Sequence, residues 1–315
     1  MERLPDARPL LPKRLLPGDT IGIAAPSSSF DRNSFDRGIH ILEQWGFRTH
    51  IPESLFRKKG YLAGPDIHRA DLLNGLFADK TVKGIVCARG GFGAIRTLSL
   101  LDFESIRENP KIFFGFSDIS AILSVLHQRC GLLTFHGPMV TTLGDADQET
   151  ASAMLSTLSS DAPFEMRLEK GITLIPGTGR GILSGGNLST LCHLLGTPFQ
   201  ADFRGHILFL EDRGEASYKI DRMLFQMKLA GCFDALTGLG LGSFEGCGSE
   251  DEIFRIVKNV FRESPIPILA GLDAGHGKRN LSIPMGIRVT LDADARTILS
   301  HEAPTIPAEG SDARR

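Results

Sequence analysis

The chain has 315 residues, 42% of them hydrophobic, with 35 basic and 37 acidic residues and a formal net charge of −2. That length and apolar content support packed cores in two domains, and the mixed, near-neutral charge carries neither a nucleic-acid footprint nor a polybasic membrane patch. No apolar run reaches spanning length, and the segment MERLPDARPLLPKRLLPGD is broken by proline and charge where a signal peptide has an apolar core. A cytoplasmic protein is therefore expected. Cys87, Cys130, Cys192, Cys232 and Cys247 are odd in number and lack C-x-x-C spacing, so neither a disulfide framework nor a zinc knuckle is expected.

Residues 1–16 read as an irregular arm. A strand over 20–25 ends at Pro26 and the serines that follow it, and Phe35, Ile39, Leu42 and Trp45 form a helical stripe closed by Gly46. Residues 48–51 read as a second strand. Ile67, Ala70, Leu73 and Phe77 mark the next helix, which precedes a strand at 84–88. The glycine-rich turn Arg89-Gly90-Gly91-Phe92-Gly93 leads into a helix through Ile95, Leu98 and Leu101. Ile112, Phe113 and Phe114 are a short apolar run, as in a strand buried on both faces. Gly115-Phe116-Ser117-Asp118 interrupts it, and Ile119, Ile122, Leu123 and Leu126 then recur at helical spacing up to Gly131. A strand at 132–135 ends at His136-Gly137-Pro138. This alternation over 17–143 predicts an α/β domain with a parallel sheet and helices on both faces. In such a sheet the turns at 26–29, 89–93, 117–118 and 136–138 fall at the carboxyl ends of strands, where ligands gather.

Residues 144–180 are polar and read as a connection containing one helix. A second domain is expected over 181–302. It has strands at 181–184, 207–210 and 239–244, helices near 188–195, 220–227 and 253–260, and a closing hairpin over 287–299. Residues 303–315 read as a disordered tail.

Ser117 falls on a sharp strand-to-helix turn, which suits two roles. Serine is a good helix N-cap. The same turn exposes a hydroxyl beside free backbone N–H groups, the geometry of a nucleophile elbow. Acyl transfer also needs a base, a carboxylate to orient it and donors for the oxyanion. His276 lies between glycines, with His136 as its competitor, and Glu211 ends an apolar strand, which would place it at a sheet edge. The N–H of Asp118 and the Gly90–Gly91 turn could supply the donors. Each has a structural alternative: a loop histidine, a solvated strand end, and for Asp118 a helix-start charge.

The ordered set of motifs resembles the LD-carboxypeptidases, serine peptidases of the S66 group, which also includes the microcin C self-immunity peptidases. The similar stretches are Pro17-Gly18-Asp19-Thr20-Ile21, Ala24-Ala25-Pro26-Ser27, Tyr61-Leu62-Ala63-Gly64, Ala88-Arg89-Gly90-Gly91-Phe92-Gly93, Gly115-Phe116-Ser117-Asp118 and Phe135-His136-Gly137-Pro138. They continue in Gly185-Gly186-Asn187-Leu188, Leu210-Glu211-Asp212, Ile220-Asp221-Arg222 and Gly275-His276-Gly277-Lys278. The resemblance implies a Rossmann-like N-terminal domain, a smaller β-rich C-terminal domain and a homodimer. It implies Ser117 as nucleophile, Glu211 and His276 as its partners, and no metal or other cofactor. The Gly91 and Asp118 amides would bind the oxyanion, with Gly90 able to replace Gly91. Arg89, Lys278 and Arg213 are the candidates for the substrate's terminal carboxylate. The implied substrate is a murein tetrapeptide that loses its terminal D-alanine after meso-diaminopimelate. Two rivals stand beside this: cleavage of an aminoacyl-nucleotide amide, and a non-catalytic nucleotide- or sugar-binding protein. Residues 171–186 contain no aromatic side chain on which an adenine could stack, which favours the murein peptide.

Overall fold

The computed structural model describes residues 9–308 and divides into two compact units. The first runs to Ala162 and takes back Leu281–Ile283 and the segment from Ala303, while the second holds Pro163–Asn280 and Pro284–Glu302.

The first unit alternates β1 (Thr20–Ala24), α1 (Arg32–Gln44), β2 (Arg48–His50), α2 (Asp66–Ala78), β3 (Val82–Cys87), α3 (Phe103–Glu108), β4 (Ile112–Gly115), α4 (Ser120–Cys130) and β5 (Thr134–His136). The short α5 (Val140–Leu143) and then α6 (Gln148–Ser159) follow. The five strands are parallel in the order β5-β4-β3-β1-β2. This is the doubly wound pattern, in which strand order reverses between β1 and β3 and loops converge at the carboxyl ends. β4 shows why the apolar run takes this place. All of its residues are buried, Phe113 stacking on Phe77 of α2 and Phe114 on Phe135 of β5 at centroid distances of 5.9 and 5.8 Å.

The second unit contains β6 (Glu165–Arg167), β7 (Ile172–Ile175), β8 (Thr178–Asn187), α7 (Leu188–Cys192), β9 (His206–Arg213), α8 (Ser217–Leu229), β10 (Gly238–Glu245), α9 (Glu250–Val260) and β11 (Ile268–Ala270). After β12 (Ile283–Met285), the hairpin β13 (Arg288–Asp292) and β14 (Thr297–Ser300) closes it. Its eight-stranded sheet has the order β6-β14-β13-β8-β9-β10-β11-β7. β8 to β11 form a parallel centre, with antiparallel strands added on both flanks. Among the described residues, no helix is long and apolar enough to cross a membrane.

Several expectations are corrected. The stretch 144–180 is no free connection: α6 buries Thr150, Met154 and Leu158 in the first unit, and β6 and β7 are strands of the second. The helix through Ile95 is a 3₁₀ helix over Ala94–Leu100, with α3 starting anew after the Asp102 cap. β12, unseen in the sequence, is the edge strand beside β5. Of the expected tail, Thr305 is buried with its hydroxyl donating to Ser160 O, and Ile306 N donates to Pro12 O. These bonds also tie down part of the expected arm. Residues 1–8 and 309–315 lie outside the described residues.

Two glycines in helices make opposite predictions. A Cβ on Gly38 of α1 would lie 1.9 Å from Val140 O, whereas one on Gly75 of α2 meets nothing within 4 Å. Gly38→Ala is therefore expected to cost about 1–3 kcal/mol through overpacking. Gly75→Ala should add about 0.5–1 kcal/mol by restricting the unfolded chain and favouring helix. Urea unfolding of the two variants reads both signs.

Candidate active site

In the first unit, Ser117 is separated from the end of β4 by Phe116 alone and has φ +62, an uncommon conformation for a residue with a Cβ. The 3₁₀ turn Ser117–Ile119 then feeds α4. A non-glycine residue held there costs on the order of 1–3 kcal/mol, and such strain concentrates at functional turns. The N-cap of this 3₁₀ turn is Phe116, so Ser117 stands inside the turn and not at its cap. The serine is partly exposed, while Phe116 and Asp118 on either side are buried.

The turn 89–93 lies against the serine. A Cβ on Gly90 would sit 3.0 Å from Ser117 Cβ and 3.2 Å from its Oγ, so the backbone approaches the hydroxyl as only glycine allows. Gly91 has φ +103, and a Cβ there would fall 2.5 Å from Ser28 Oγ. Ser28 fills that space and fixes the turn. Its Oγ accepts from Phe92 N at 2.9 Å and donates to Phe92 O at 3.2 Å, and its N–H donates to Gly90 O at 3.2 Å. Arg89 is exposed, with Nη1 donating to Ser29 O at 2.7 Å.

Asp118 does more than the expected helix-start charge. Its carboxylate is buried, accepts from Ser27 Oγ and receives Ala94 N at 2.8 Å. Arg69 was invisible as a site neighbour in the sequence, yet its side chain is wholly buried. It donates from Nη1 to Pro26 O and, at 2.8 Å, to Gly93 O, and from Nη2 to Asp66. The available signal was periodicity: Arg69 falls in the same stripe as Leu73 and Phe77, on the buried face of α2.

In the second unit, β9 has parallel neighbours on both sides, so Glu211 sits near the carboxyl end of an interior strand and not at a sheet edge. Its side chain is fully buried and Oε2 lies 2.7 Å from His276 Nδ1. The His276 backbone N–H donates to the same oxygen at 3.2 Å. A carboxylate can only accept, so the imidazole proton sits on Nδ1, and in the neutral ring Nε2 carries the lone pair. Glu211 Oε1 is buried with no hydrogen-bond partner among the described residues.

The His276 loop is shaped to this contact. Gly275 has φ +107, and a Cβ there would fall 2.6 Å from Glu211 Oε2. Gly275 N donates to Asn280 Oδ1 and Gly277 N to Ser243 Oγ, both at 2.8 Å. Asn280 and Ser243 have no sequence signature that separates them from ordinary polar residues. Asp212 faces other partners, accepting from Ser189 N at 2.8 Å and Asn187 Nδ2 at 3.2 Å at the start of α7. Burial raises its carboxyl above the usual range. Arg213 and Lys278 are exposed, at the ends of the segments that carry Glu211 and His276. His136 is fully buried in β5, edge-on to Phe116 at 5.7 Å. Among the described residues, no group of three or more His, Cys, Asp and Glu side chains could hold a metal ion.

Comparisons with known proteins agree with the division into two units. Residues 21–137 match the family model described as the LD-carboxypeptidase N-terminal domain, and residues 180–291 match the LD-carboxypeptidase C-terminal domain. A probable murein peptide carboxypeptidase of Bacillus subtilis is 36% identical over 295 residues, covering 91% of this chain and 92% of the relative. The solved muramoyltetrapeptide carboxypeptidase of Oxalobacter formigenes superposes with TM-score 0.80 and 27% identity, covering 90% of this chain and 99% of that one. The microcin C7 self-immunity protein MccF, solved with aspartyl sulfamoyl adenosine, gives TM-score 0.89 and 26% identity over 95% of this chain and 100% of its own.

Two predictions follow from the local geometry. Gly275→Ala should lower the thermal midpoint and, in protein still folded at the assay temperature, displace the imidazole from Glu211, lowering turnover by about 10²-fold, since misplacements near 1 Å cost that much. Asp66, hydrogen-bonded by Arg96 and paired with Arg69, has its carboxyl held down at about 2 against an ordinary 3.8. A depressed folded value contributes stability that is complete above the unfolded value and lost as pH falls through the folded one. Unfolding midpoints between pH 5 and 2 should therefore drop less steeply in Asp66→Asn than in the parent.

Proposed function

The chain belongs to the LD-carboxypeptidase family and is a serine-type carboxypeptidase, and from that premise we propose that it releases the terminal D-alanine of murein tetrapeptide, after meso-diaminopimelate, in peptidoglycan recycling. The observation that carries the chemistry is the 2.7 Å contact between His276 Nδ1 and the buried Glu211 carboxylate, together with a serine at φ +62 beside a glycine turn. In this reading Ser117 Oγ attacks the diaminopimelyl carbonyl and His276 Nε2 accepts its proton. Glu211 keeps the ring in the tautomer that leaves Nε2 free and stabilises the imidazolium once formed. The amides of Gly91, or Gly90, and Asp118 take the oxyanion. His276 then protonates the departing amine of D-alanine, and water resolves the acyl-enzyme with the same residue as base.

The terminal carboxylate needs a cation, for which Arg89, Arg213 and Lys278 remain the candidates. Arg89 has the strongest support, because its exposed guanidinium is held against the loop that packs on the glycine turn. A homodimer acting in the cytoplasm belongs to the same reading.

A second reading keeps the chemistry and changes the substrate to an aminoacyl-nucleotide amide. It draws support from the likeness to MccF and from Tyr61 and Phe92, an exposed edge-to-face aromatic pair with centroids 5.7 Å apart beside the glycine turn. The murein reading is supported by the higher identity to the Bacillus subtilis relative and by the absence of aromatic residues over 171–186.

Incubation with murein tetrapeptide should yield tripeptide and free D-alanine by mass spectrometry. No release, alongside cleavage of an aminoacyl sulfamoyl adenosine, would transfer the assignment to the second reading. Ser117→Ala, His276→Ala and Glu211→Ala should each lower kcat by orders of magnitude, and the double variants should lose little more than the worst single one. Full activity in His276→Ala would remove the proposed base.

A further inference from the structure

The glycine turn can stabilise an oxyanion only if its amides are aimed before the charge develops, because donors that must reorganise lose most of their value. Peptide backbone with several glycines does not hold such an aim by itself. Three side chains join the turn to the loop after β1, residue by residue. Ser28 Oγ binds both polar groups of Phe92, and the backbone N–H of the same residue donates to Gly90 O. Asp118 joins Ser27 to Ala94 N. Arg69 joins Pro26 O to Gly93 O.

Arg69 is the costly member. Its side chain is wholly buried, and taking a guanidinium out of water costs several kcal/mol unless its hydrogen bonds are replaced. Apolar side chains would fill the face of α2 at lower cost, and Leu73 and Phe77 do so farther along the same stripe. The planar fork can do what they cannot, which is to hold two carbonyls of different loops at once. A Cβ on Gly93 would lie 2.9 Å from Nη1, so the guanidinium occupies the space that the glycine leaves. Asp66 balances the charge from the same helix and is shared with the exposed Arg96.

We propose that Arg69 is a positioning residue for catalysis, clamping the far end of the Gly90–Gly93 turn to Pro26 so that the turn's amides face the oxyanion formed at Ser117. This rests on the serine chemistry proposed above, but not on the identity of the substrate.

The test uses a fluorophosphonate probe, which forms an Oγ–P bond with the active serine as fluoride leaves and needs the oxyanion donors but no murein recognition. Labelling of the parent protein should map to Ser117 by peptide mass spectrometry. Arg69→Lys keeps the charge but cannot fork, and Arg69→Gln keeps a planar donor without charge. Both should be labelled about 10²-fold more slowly, the loss typical of one misplaced oxyanion donor. In turnover of tetrapeptide both should lower kcat with KM changed less than about threefold, since ground-state binding is untouched. Arg96→Gln, which loses only an exposed contact to Asp66, should label within about twofold of the parent.

Parent-like labelling of either Arg69 variant would overturn the proposal. So would equal loss in Arg96→Gln, or failure of both Arg69 variants to fold at 25 °C, either of which assigns the cluster to stability alone. Ser117 labelling without D-alanine release would sink the murein reading while leaving the clamp to be judged on labelling rates. No labelling of the parent at Ser117 would overturn the nucleophile assignment and the clamp together.

Discussion

Ser117 leaves β4 at φ +62, and a residue with a Cβ keeps that conformation only where its surroundings supply more than it costs. Those surroundings are visible on both sides of it. Upstream, β4 is buried along its length between two phenylalanine stacks, so the strand cannot slide to relax the turn. Downstream, the Asp118 carboxylate is fastened to Ser27 and Ala94. The serine is thus pinned by its neighbours in sequence, and it is the one residue over 115–120 that is not buried. The glycine turn inherits its position from this arrangement, since Gly90 packs directly against the serine side chain.

The second unit solves a different problem by a different means. A histidine ring has two nitrogens, and only one of its neutral tautomers leaves Nε2 able to take a proton. The choice is made by a fully buried carboxylate that receives both Nδ1 and the backbone N–H of the same residue. An interior strand provides the rigidity, because β9 is hydrogen-bonded on both edges. Gly275 provides the room, and Asn280 and Ser243 hold the loop on either side of the ring.

Much of this was legible in the residue order. The apolar run at 112–114, its interruption and the helical stripe after it placed the Ser117 turn correctly, because each signal is local. The strand that carries Glu211 was legible for the same reason, although it runs on to Arg213. What could not be read was set by pairings distant in the chain. β12 is three residues long and exists as a strand only because it pairs with β5, and β6 depends in the same way on β14. The stretch 144–180 looked like a connection since its helix has a sparse apolar stripe, yet three side chains of that stripe suffice to bury it. Asp118 reads as a helix-start charge in the sequence and Arg69 as one member of a helical stripe, and only the meeting of two carboxyl-end loops supplies the backbone and hydroxyl groups that they bind.

Burial falls off in a consistent order along the groups assigned to the chemistry. Glu211 is fully buried, the His276 side chain is 13% exposed, and Ser117 is partly exposed. The groups that only orient are shielded, where a hydrogen bond to a charge is strongest and water does not compete. The groups proposed to meet a substrate, Ser117 and His276, are only partly buried. Glycine sets the boundary between the two classes. At Gly91 and Gly275 the space of a side chain is taken by an oxygen of Ser28 or Glu211, so an orienting group reaches the reacting segment's backbone directly. At both positions backbone is brought close, and a buried side chain holds it still.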